Sequence, residues 1–444
     1  MGSLPAEAPA YLWPTDMFTL HGDLTFMQEN IDKVVQGLTK WEPETKSKGI
    51  VGAPRMISIA GADYEQTVTN MNEEFLKRLW GDGHTLLPPT VKKVDWMLRG
   101  TDLPRDKVVA KIEPEGGLAT VESIAINAVM AGCRPEYMPV LIGAVEAIAE
   151  PEFDLAHYQT STGPGAVEII VNGPIRKQLD INCRAGMYGP GWKANAAIGR
   201  ALRLITMNVG KAFPGVVNMK QQSQPGAYGI CIGEDEESYP ADYPGWQPLS
   251  VDQGFTKCTN IVTARMNYGQ VPCGDGGLLS MALAMTFATN MNPMEQGRGT
   301  VLFIVSPEDL CAYIIPGFKS NHPNFPRDIA PCPTKQMAKE YIWEHSKIPV
   351  DHWIDCMPKK VTEGYYNPGG QRYDYVMKNL GKKIPQVADP DHIAIIVGGG
   401  KGGHSEYVLT GGESAMQTKE IRLPRAWDTL LEEAKTHVRR PFRD

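Results

Sequence analysis

The chain has 444 residues, of which 42% are hydrophobic and 21% charged, a composition typical of a protein that folds over nearly its whole length. Its net charge is -7 at pH 7, and no cluster of Lys and Arg supplies the positive field that nucleic acids or anionic membranes require. The best apolar run, residues 138–149, is interrupted by Glu146 and is shorter than the about 20 residues of a membrane span.

The start of the chain and its cysteines predict a cytoplasmic protein. The first residues, Met-Gly-Ser-Leu-Pro-Ala, lack the apolar core of a signal peptide. The 8 cysteines contain no Cys-x-x-Cys pair, so neither a zinc ribbon nor a dithiol redox motif is predicted. We therefore expect reduced thiols, no nucleic-acid partner and no membrane partner.

The first part of the chain reads as an arm followed by strand–helix units. Residues 23–41 have apolar side chains at helical spacing, and we interpret them as an amphipathic docking helix. An apolar stretch at 56–60, followed by a helix at 63–79, begins a strand–helix pattern. A strand at 108–112 and a helix at 120–131 repeat it. This alternation favours a mostly parallel sheet.

The same pattern continues through the rest of the chain. Further strands are predicted at 166–171, 260–266, 300–305 and 392–397, and further helices at 175–179, 193–208, 278–288 and 335–345. Two long Pro-rich connections, 313–333 and 351–391, are of a length that usually serves function or oligomer formation.

These elements predict an α/β fold with two α/β domains, mostly parallel sheets and long Pro/Gly-rich loops. We expect an N-terminal arm at 1–45, a main domain at 46–238 and a second domain at 259–444. Residues 239–258, rich in proline and glycine, would be a linker or an ordered loop between them.

A first candidate site is the turn that precedes the helix at 193–208. Gly189 and Gly191 let the main chain approach a ligand, and the first amides of a helix have no intrahelical partner, so an anion is favoured there. Lys193, Asn195 and Arg200 would add polar and positive groups for substrate binding. The alternative is a tight turn whose lysine faces water.

A second candidate site is the glycine run after the predicted strand 392–397. Gly399, Gly400, Lys401 and Ser405 belong to a loop that could wrap a phosphate or carboxylate at the carboxyl end of a strand. The run has neither a P-loop ending nor a dinucleotide-binding fingerprint, so nucleotide binding is not predicted. The alternative is a flexible glycine hinge.

A third candidate lies on the predicted helix 120–131. Glu122, in its first turn, would act as a catalytic or orienting carboxylate, although its charge also suits the helix dipole. Asn127 lies in an apolar run, where a buried amide must find partners; they could be structural groups or the substrate.

Two titratable side chains are the candidates for catalysis. Cys183 precedes a helix start and neighbours Arg184, surroundings expected to lower the pKa of its thiol and make it a nucleophile. His404, exposed by its glycine loop, is the candidate general base. His84 could be a second acid–base group, but a lone loop histidine is more often neither catalyst nor metal ligand. No metal site is predicted, because His and carboxylate ligand spacings are absent.

Four motifs of the chain resemble UGSC-type (seleno)proteins or their partner subunits. They are Thr-Val-Glu-x-Ile-Ala-x-Asn-Ala-Val-Met-Ala-Gly-Cys at 120–133, Val-Asn-Gly-Pro at 171–174, the segment 189–204 and the segment 396–405. In that group a selenocysteine or cysteine motif is thought to carry redox or nucleophilic chemistry. This chain has no Cys-Gly-Ser-Cys, so the resemblance implies only that segments 189–203 and 398–405 form the walls of a site.

The sequence thus predicts an enzyme that acts on a small carboxylate-bearing organic substrate by thiol or acid–base catalysis, in a glycine-lined cleft between two domains. It does not distinguish a lyase, a hydrolase or a reductase, and it identifies no cofactor. A homo-oligomer is possible with such long connections. The alternative is a non-catalytic subunit that binds a partner through the arm and the Pro-rich loops.

Overall fold

The computed structural model describes residues 24–40, 56–274, 277–287, 299–321, 327–351, 377–411 and 414–436. The helices of these ranges are α1 Thr25–Lys40, α2 Tyr64–Lys77, α3 Val91–Leu98, α4 Val121–Met130, α5 Met138–Ile148, α6 Leu155–Thr160, α7 Pro174–Gln178, α8 Lys193–Asn208, α9 Leu249–Asp252, α10 Gly277–Phe287, α11 Lys335–His345 and α12 Trp427–Ala434. The strands are β1 Val108–Ile112, β2 Gly117–Thr120, β3 Ala166–Asn172, β4 Ile230–Gly233, β5 Ile261–Asn267, β6 Gln270–Gly274, β7 Val301–Val305, β8 Phe318–Ser320, β9 Arg327–Ile329, β10 Ile348–Pro349, β11 Lys383–Ile384, β12 Ile393–Val397, β13 Ser405–Val408 and β14 Gln417–Glu420.

Two four-stranded sheets form the centre of the fold. Sheet I has the order β14-β5-β3-β4, and sheet II has the order β12-β7-β13-β6. Each sheet contains one parallel pair, β3 with β4 and β7 with β12, and its other pairs are antiparallel. The predicted α/β class is confirmed, but the prediction of mostly parallel sheets is wrong.

The direct connection between β5 and β6 explains part of this mixture of parallel and antiparallel strands. Only Tyr268 and Gly269 separate the two strands, and Gly269 has a φ of +128°. The chain therefore turns from sheet I into sheet II with no helix between them. A parallel neighbour needs a crossover connection, usually a helix, which the predicted strand–helix alternation assumed throughout.

The two sheets pack face to face, with helices on their outer sides. Apolar side chains from β3 and β4 of sheet I meet those from β7, β12 and β13 of sheet II in one buried cluster. Helices α4, α5 and α8 share a second cluster with the other face of sheet I. Helices α10 and α11 share a third with the other face of sheet II. The order of layers is thus helices, sheet, sheet, helices.

The strands do not divide between the sheets at residues 239–258. Both β5 and β14 follow that segment, yet both lie in sheet I beside β3. The segment is ordered: Trp246 is buried, and its indole Nε1 donates to the Cys332 carbonyl at 2.9 Å. The division into two domains stays a prediction.

Two elements differ from the sequence prediction for local reasons. Residues 56–60 form no strand, and they are mostly exposed, so their apolar side chains gain no sheet partner. Helix α5 was not predicted, because its side chains are buried nearly all round and show no polar face. It packs on β5 and β14. No helix of the described ranges combines the length and the apolar character that crossing a membrane demands.

Much of the long predicted connections is now placed. The first contains the strands β8 and β9, and the second contains β11 near its end. Residues 322–326 and 352–376 of these connections lie outside the described residues. Helix α1 forms as expected and exposes Met27, Ile31 and Val35, while its docking role stays a prediction.

Candidate functional site

The carboxyl ends of the two parallel strand pairs meet at one edge of the fold. The amide of Asp235, two residues after β4, donates to the carbonyl of Val397 at the end of β12 at 2.8 Å. The amide of Gly398 donates to the carbonyl of Val305 at the end of β7 at 3.0 Å. Ligands of α/β sheets bind outside the carboxyl ends of strands, so this edge is the candidate site.

The glycine segment at 398–403 lies directly against the segment that carries Cys183. The Gly399 amide donates to the Cys183 carbonyl at 3.0 Å, and Gly399 forms a parallel bridge with Arg184. At Gly398 an added Cβ would lie 3.1 Å from the Sδ of Met187 and 3.2 Å from the Cys183 carbonyl oxygen. The absence of a side chain there allows the two main chains to approach, which brings the predicted glycine segment next to the predicted nucleophile Cys183.

Cys183 lies in a buried, charged environment. Cys183 is 4% exposed, and the Nη1 of Arg176 donates to its Sγ at 3.1 Å. The same guanidinium donates from Nη2 to both carboxylate oxygens of Glu237 at 2.8 and 2.7 Å. Burial raises the pKa of the Cys183 thiol to about 11, although Arg176 and Arg184 act to lower it. The expected lowering of this pKa is therefore wrong, because desolvation outweighs both cations.

Arg176 was missed by the sequence analysis. It comes from α7, seven positions before Cys183, and Gly233 of β4 leaves the space that its side chain occupies. An added Cβ at Gly233 would lie 2.5 Å from the Cδ of Arg176. No local pattern pairs an arginine on one short helix with a thiol in the following loop.

Asn195 holds the main chain next to Cys183 in position. From the first turn of α8, its Oδ1 accepts from the Asn182 amide at 2.8 Å, and its Nδ2 donates to the Asn182 carbonyl at 3.0 Å. The Oδ1 of Asn182 accepts in turn from the Arg184 amide at 3.0 Å. Asn195 is buried, so its contact to the site passes through the main chain of Asn182.

An acidic run, 234–237, completes this edge of the fold. Asp235 pairs with the Nε of Arg184 at 3.1 Å and accepts from the Ser238 hydroxyl at 2.7 Å. Glu234 is fully buried, where burial raises its pKa, and it accepts from the Tyr239 hydroxyl at 2.5 Å. Four consecutive acidic residues were the available signal, but the four-residue strand β4 before them is too short to recognise from its pattern.

The two glycine segments also present exposed groups. The glycine segment 186–191 and the glycine segment 398–403, with their neighbours, expose Ala185, Gly186, Gly189, Pro190, Gly191, Lys193, Lys401, Gly402 and His404. Ser405, in contrast, is buried: its hydroxyl donates to Asp309 at 2.5 Å and accepts from the Ser306 amide at 3.1 Å. Asp309 begins a π-helical turn, Asp309–Ile314, after β7. Ser405 thus joins β13 to the end of β7.

Three predicted site residues have partners elsewhere. Arg200 pairs with Asp82 at 2.7 Å, and Glu122 pairs with Arg105. Asn127 donates to the Ser123 carbonyl at 2.8 Å and accepts from the Nδ2 of Asn208 at 2.7 Å. The structural interpretation of Asn127 accounts for both ends of its amide.

The ion pair of Asp82 and Arg200 is expected to stabilise the fold. Although burial acts to raise the pKa of Asp82, Arg200 outweighs it and holds that pKa below its usual range. A carboxylate with a lowered pKa stabilises the fold above its unfolded pKa of about 3.9, and this contribution is lost as the pH falls through the folded pKa. We expect Asp82→Asn to lower the free energy of unfolding by about 1–3 kcal/mol at pH 7.

Urea unfolding of the wild type and of Asp82→Asn measures this difference across pH. The difference should shrink as the pH falls from about 5 to about 2, because the wild type then loses the same charge. A difference that stayed constant over that range would contradict the pairing as the source of the effect.

Within the described residues, no group of three or more His, Cys, Asp and Glu side chains is placed to hold a metal ion. In these ranges, the site consists of a buried thiol, a guanidinium, an acidic run and two glycine segments.

The resemblance of the chain to UGSC-type proteins stays a prediction carried by the motifs. Comparison of the chain with known protein families, with curated proteins and with solved structures finds no match.

Proposed function

We propose that the protein is an enzyme that acts on a small carboxylate-bearing organic substrate, with the thiol of Cys183 as the nucleophile. The observation that carries this proposal is the contact between the Cys183 segment and the glycine segment 398–403, at the carboxyl ends of two parallel strand pairs. A guanidinium 3.1 Å from the Sγ would stabilise the thiolate once it forms.

The substrate anion would be held at the exposed rim beside the thiol. Lys193 begins α8 and Lys401 lies in the glycine segment, and both side chains are exposed. In the described part of the chain, the amides of Gly400, Lys401 and Gly402 donate to no main-chain carbonyl, so they are available to an oxyanion. These groups support a carboxylate rather than a cation as the bound group.

Proton transfer is the step that the thiol requires. With a pKa of about 11, Cys183 is protonated at neutral pH, so a base must remove its proton as the substrate binds. We assign this role to His404, which follows the glycine segment and is exposed. Histidine is the side chain that enzymes use most often as a general base.

Alkylation by an anionic and by a neutral reagent tests the proposed site without knowledge of the substrate. Iodoacetate carries a carboxylate and iodoacetamide does not, so the ratio of their rates at one thiol reports attraction of an anion. We expect this ratio at Cys183 to exceed the ratio at the exposed Cys258 and Cys311 by about tenfold, the effect of about 1.4 kcal/mol. Mass spectrometry of labelled peptides measures each rate.

Lysine variants locate the source of the attraction. Lys193→Met and Lys401→Met should each lower the ratio at Cys183, while the exposed Lys107→Met should leave it unchanged. Equal ratios at Cys183, Cys258 and Cys311 in the wild type would contradict an anion site beside this thiol.

A further inference from the structure

A cavity whose lining does not include Cys183 contains two basic side chains. It lies between α8 and the segment 220–229, and it is small and partly open to solvent. Arg203 and Lys220 line it together with Gln159 and Thr206. Arg203 is ten positions after Lys193 on α8, which places the two about 15 Å apart along the helix at 1.5 Å per residue.

Among the described residues, no carboxylate pairs with the basic groups of this cavity. The Nη1 of Arg203 lies 3.3 Å from the Oε1 of Gln159 and 3.5 Å from the Oγ1 of Thr206. Neither Arg203 nor Lys220 forms an ion pair in the ranges that the structure describes. Asp82, the carboxylate with an electrostatic effect on Arg203, is itself paired with Arg200.

This arrangement is costly in the absence of a ligand. Burial lowers the pKa of Arg203 to about 10, and burial together with Arg203 lowers the pKa of Lys220 to about 7. Buried charges in proteins are normally paired or bound to ions, because an unpaired charge loses its hydration without compensation. Two adjacent, half-buried basic groups at one opening are the complement of an anion with more than one oxygen, and such an anion would favour the charged form of Lys220.

We propose that this cavity binds a compact oxyanion, either a carboxylate or a phosphate group, between Arg203 and Lys220. The planar guanidinium offers paired donors to two oxygens, and the ammonium offers a point charge to a third. The inference does not rest on the proposed function of Cys183, since the two sites use different residues.

Titration calorimetry with inorganic phosphate and with succinate tests the proposal on the full chain. Lys220→Met and Arg203→Met should each weaken binding of the preferred anion by about tenfold or more, the value of one charge-assisted hydrogen bond. The anion that binds more tightly to the wild type distinguishes a phosphate from a carboxylate ligand.

Matched variants separate this cavity from other cationic surfaces. Lys211→Met removes a lysine near Phe213 that does not line the cavity. It should bind the anion with the affinity of the wild type, and Lys220→Arg should retain binding. Absence of binding to the wild type by both anions, or equal affinity in Lys220→Met and Lys211→Met, would overturn the proposal.

Folding of the variants supplies a second readout. In buffer without phosphate or carboxylate, Lys220→Met should have a Tm at least equal to that of the wild type, because it removes a desolvated charge. Added phosphate or succinate should raise the Tm of the wild type but not that of Lys220→Met. A Tm of Lys220→Met that rose in parallel with the wild type would contradict binding at Lys220.

Discussion

Replacing Arg265 by methionine is expected to lower the free energy of unfolding by about 3–5 kcal/mol, the usual cost of breaking a buried ion pair from one side. Arg265 of β5 is 1% exposed and pairs through Nη1 with Glu168 of β3 at 2.5 Å. Glu168 is fully buried and also accepts from the Tyr188 hydroxyl and from the Nδ2 of Asn267. Methionine fills similar volume but leaves the carboxylate without its cation.

The position of Arg265 between the sheets increases the cost. Its Nη2 donates to the carbonyls of Val408 and Leu409, at the end of β13, at 3.2 and 3.1 Å. This guanidinium therefore links sheet I to sheet II by hydrogen bonds, in addition to the apolar packing between the sheets. Loss of the side chain leaves the carboxylate without its cation and removes one donor from each of the two carbonyls.

Urea unfolding measures the loss of stability in Arg265→Met, and two further variants test its cause. Arg265→Met combined with Glu168→Gln should cost less than the sum of the single changes, because the second change removes the stranded charge. Arg99→Met, which breaks the exposed pair with Glu433, should change stability by no more than about 1 kcal/mol. A loss below about 1 kcal/mol for Arg265→Met would show that the buried pair is not needed for stability.

Replacing Arg176 by methionine is expected to slow alkylation of Cys183 by about tenfold or more near pH 8, since a hydrogen bond to a charged group is worth about 1.5–3 kcal/mol. The guanidinium lies 3.1 Å from the Sγ and stabilises the thiolate, which is the reactive form. In Arg176→Met, the effect of burial on the thiol is opposed mainly by Arg184, so the pKa of Cys183 rises further.

Lys177 offers a matched control for Arg176. It precedes the same loop, and its Nζ pairs with Glu237 at 2.8 Å, as does the guanidinium of Arg176. Lys177→Met thus removes one cation from the same carboxylate without changing the direct contact to the thiol. It should alter the alkylation rate by less than about threefold, the effect of a screened surface charge.

The pH dependence of labelling gives an independent readout. With a pKa of about 11, Cys183 in the wild type should react faster with each increase in pH beyond 9, whereas a free small thiol with a pKa of about 8.5 reaches its limit. Iodoacetamide labelling followed by mass spectrometry measures both rates. Equal slowing in Arg176→Met and Lys177→Met would contradict a specific contact between Arg176 and the thiol.

Elements defined by local patterns were predicted well. Helix α8 spans Lys193–Asn208, as expected from its glycine turn and its apolar spacing. Strand β12, Ile393–Val397, also agrees with the predicted strand at 392–397. The contact between Cys183 and Gly399 joins residues more than 200 positions apart, and no local pattern determines such a distance.

Local sequence determined where most helices and the longer strands form, because apolar spacing and glycine turns act within a few residues. It also determined which segments carry a thiol, a histidine and glycines that can approach a ligand. Only the tertiary structure decided the strand directions and the closing of two mixed sheets on one another, because these depend on pairing between distant segments. It also decided that Cys183 has a raised pKa and faces Arg176, since burial and the direction of a neighbouring charge exist only in the folded chain.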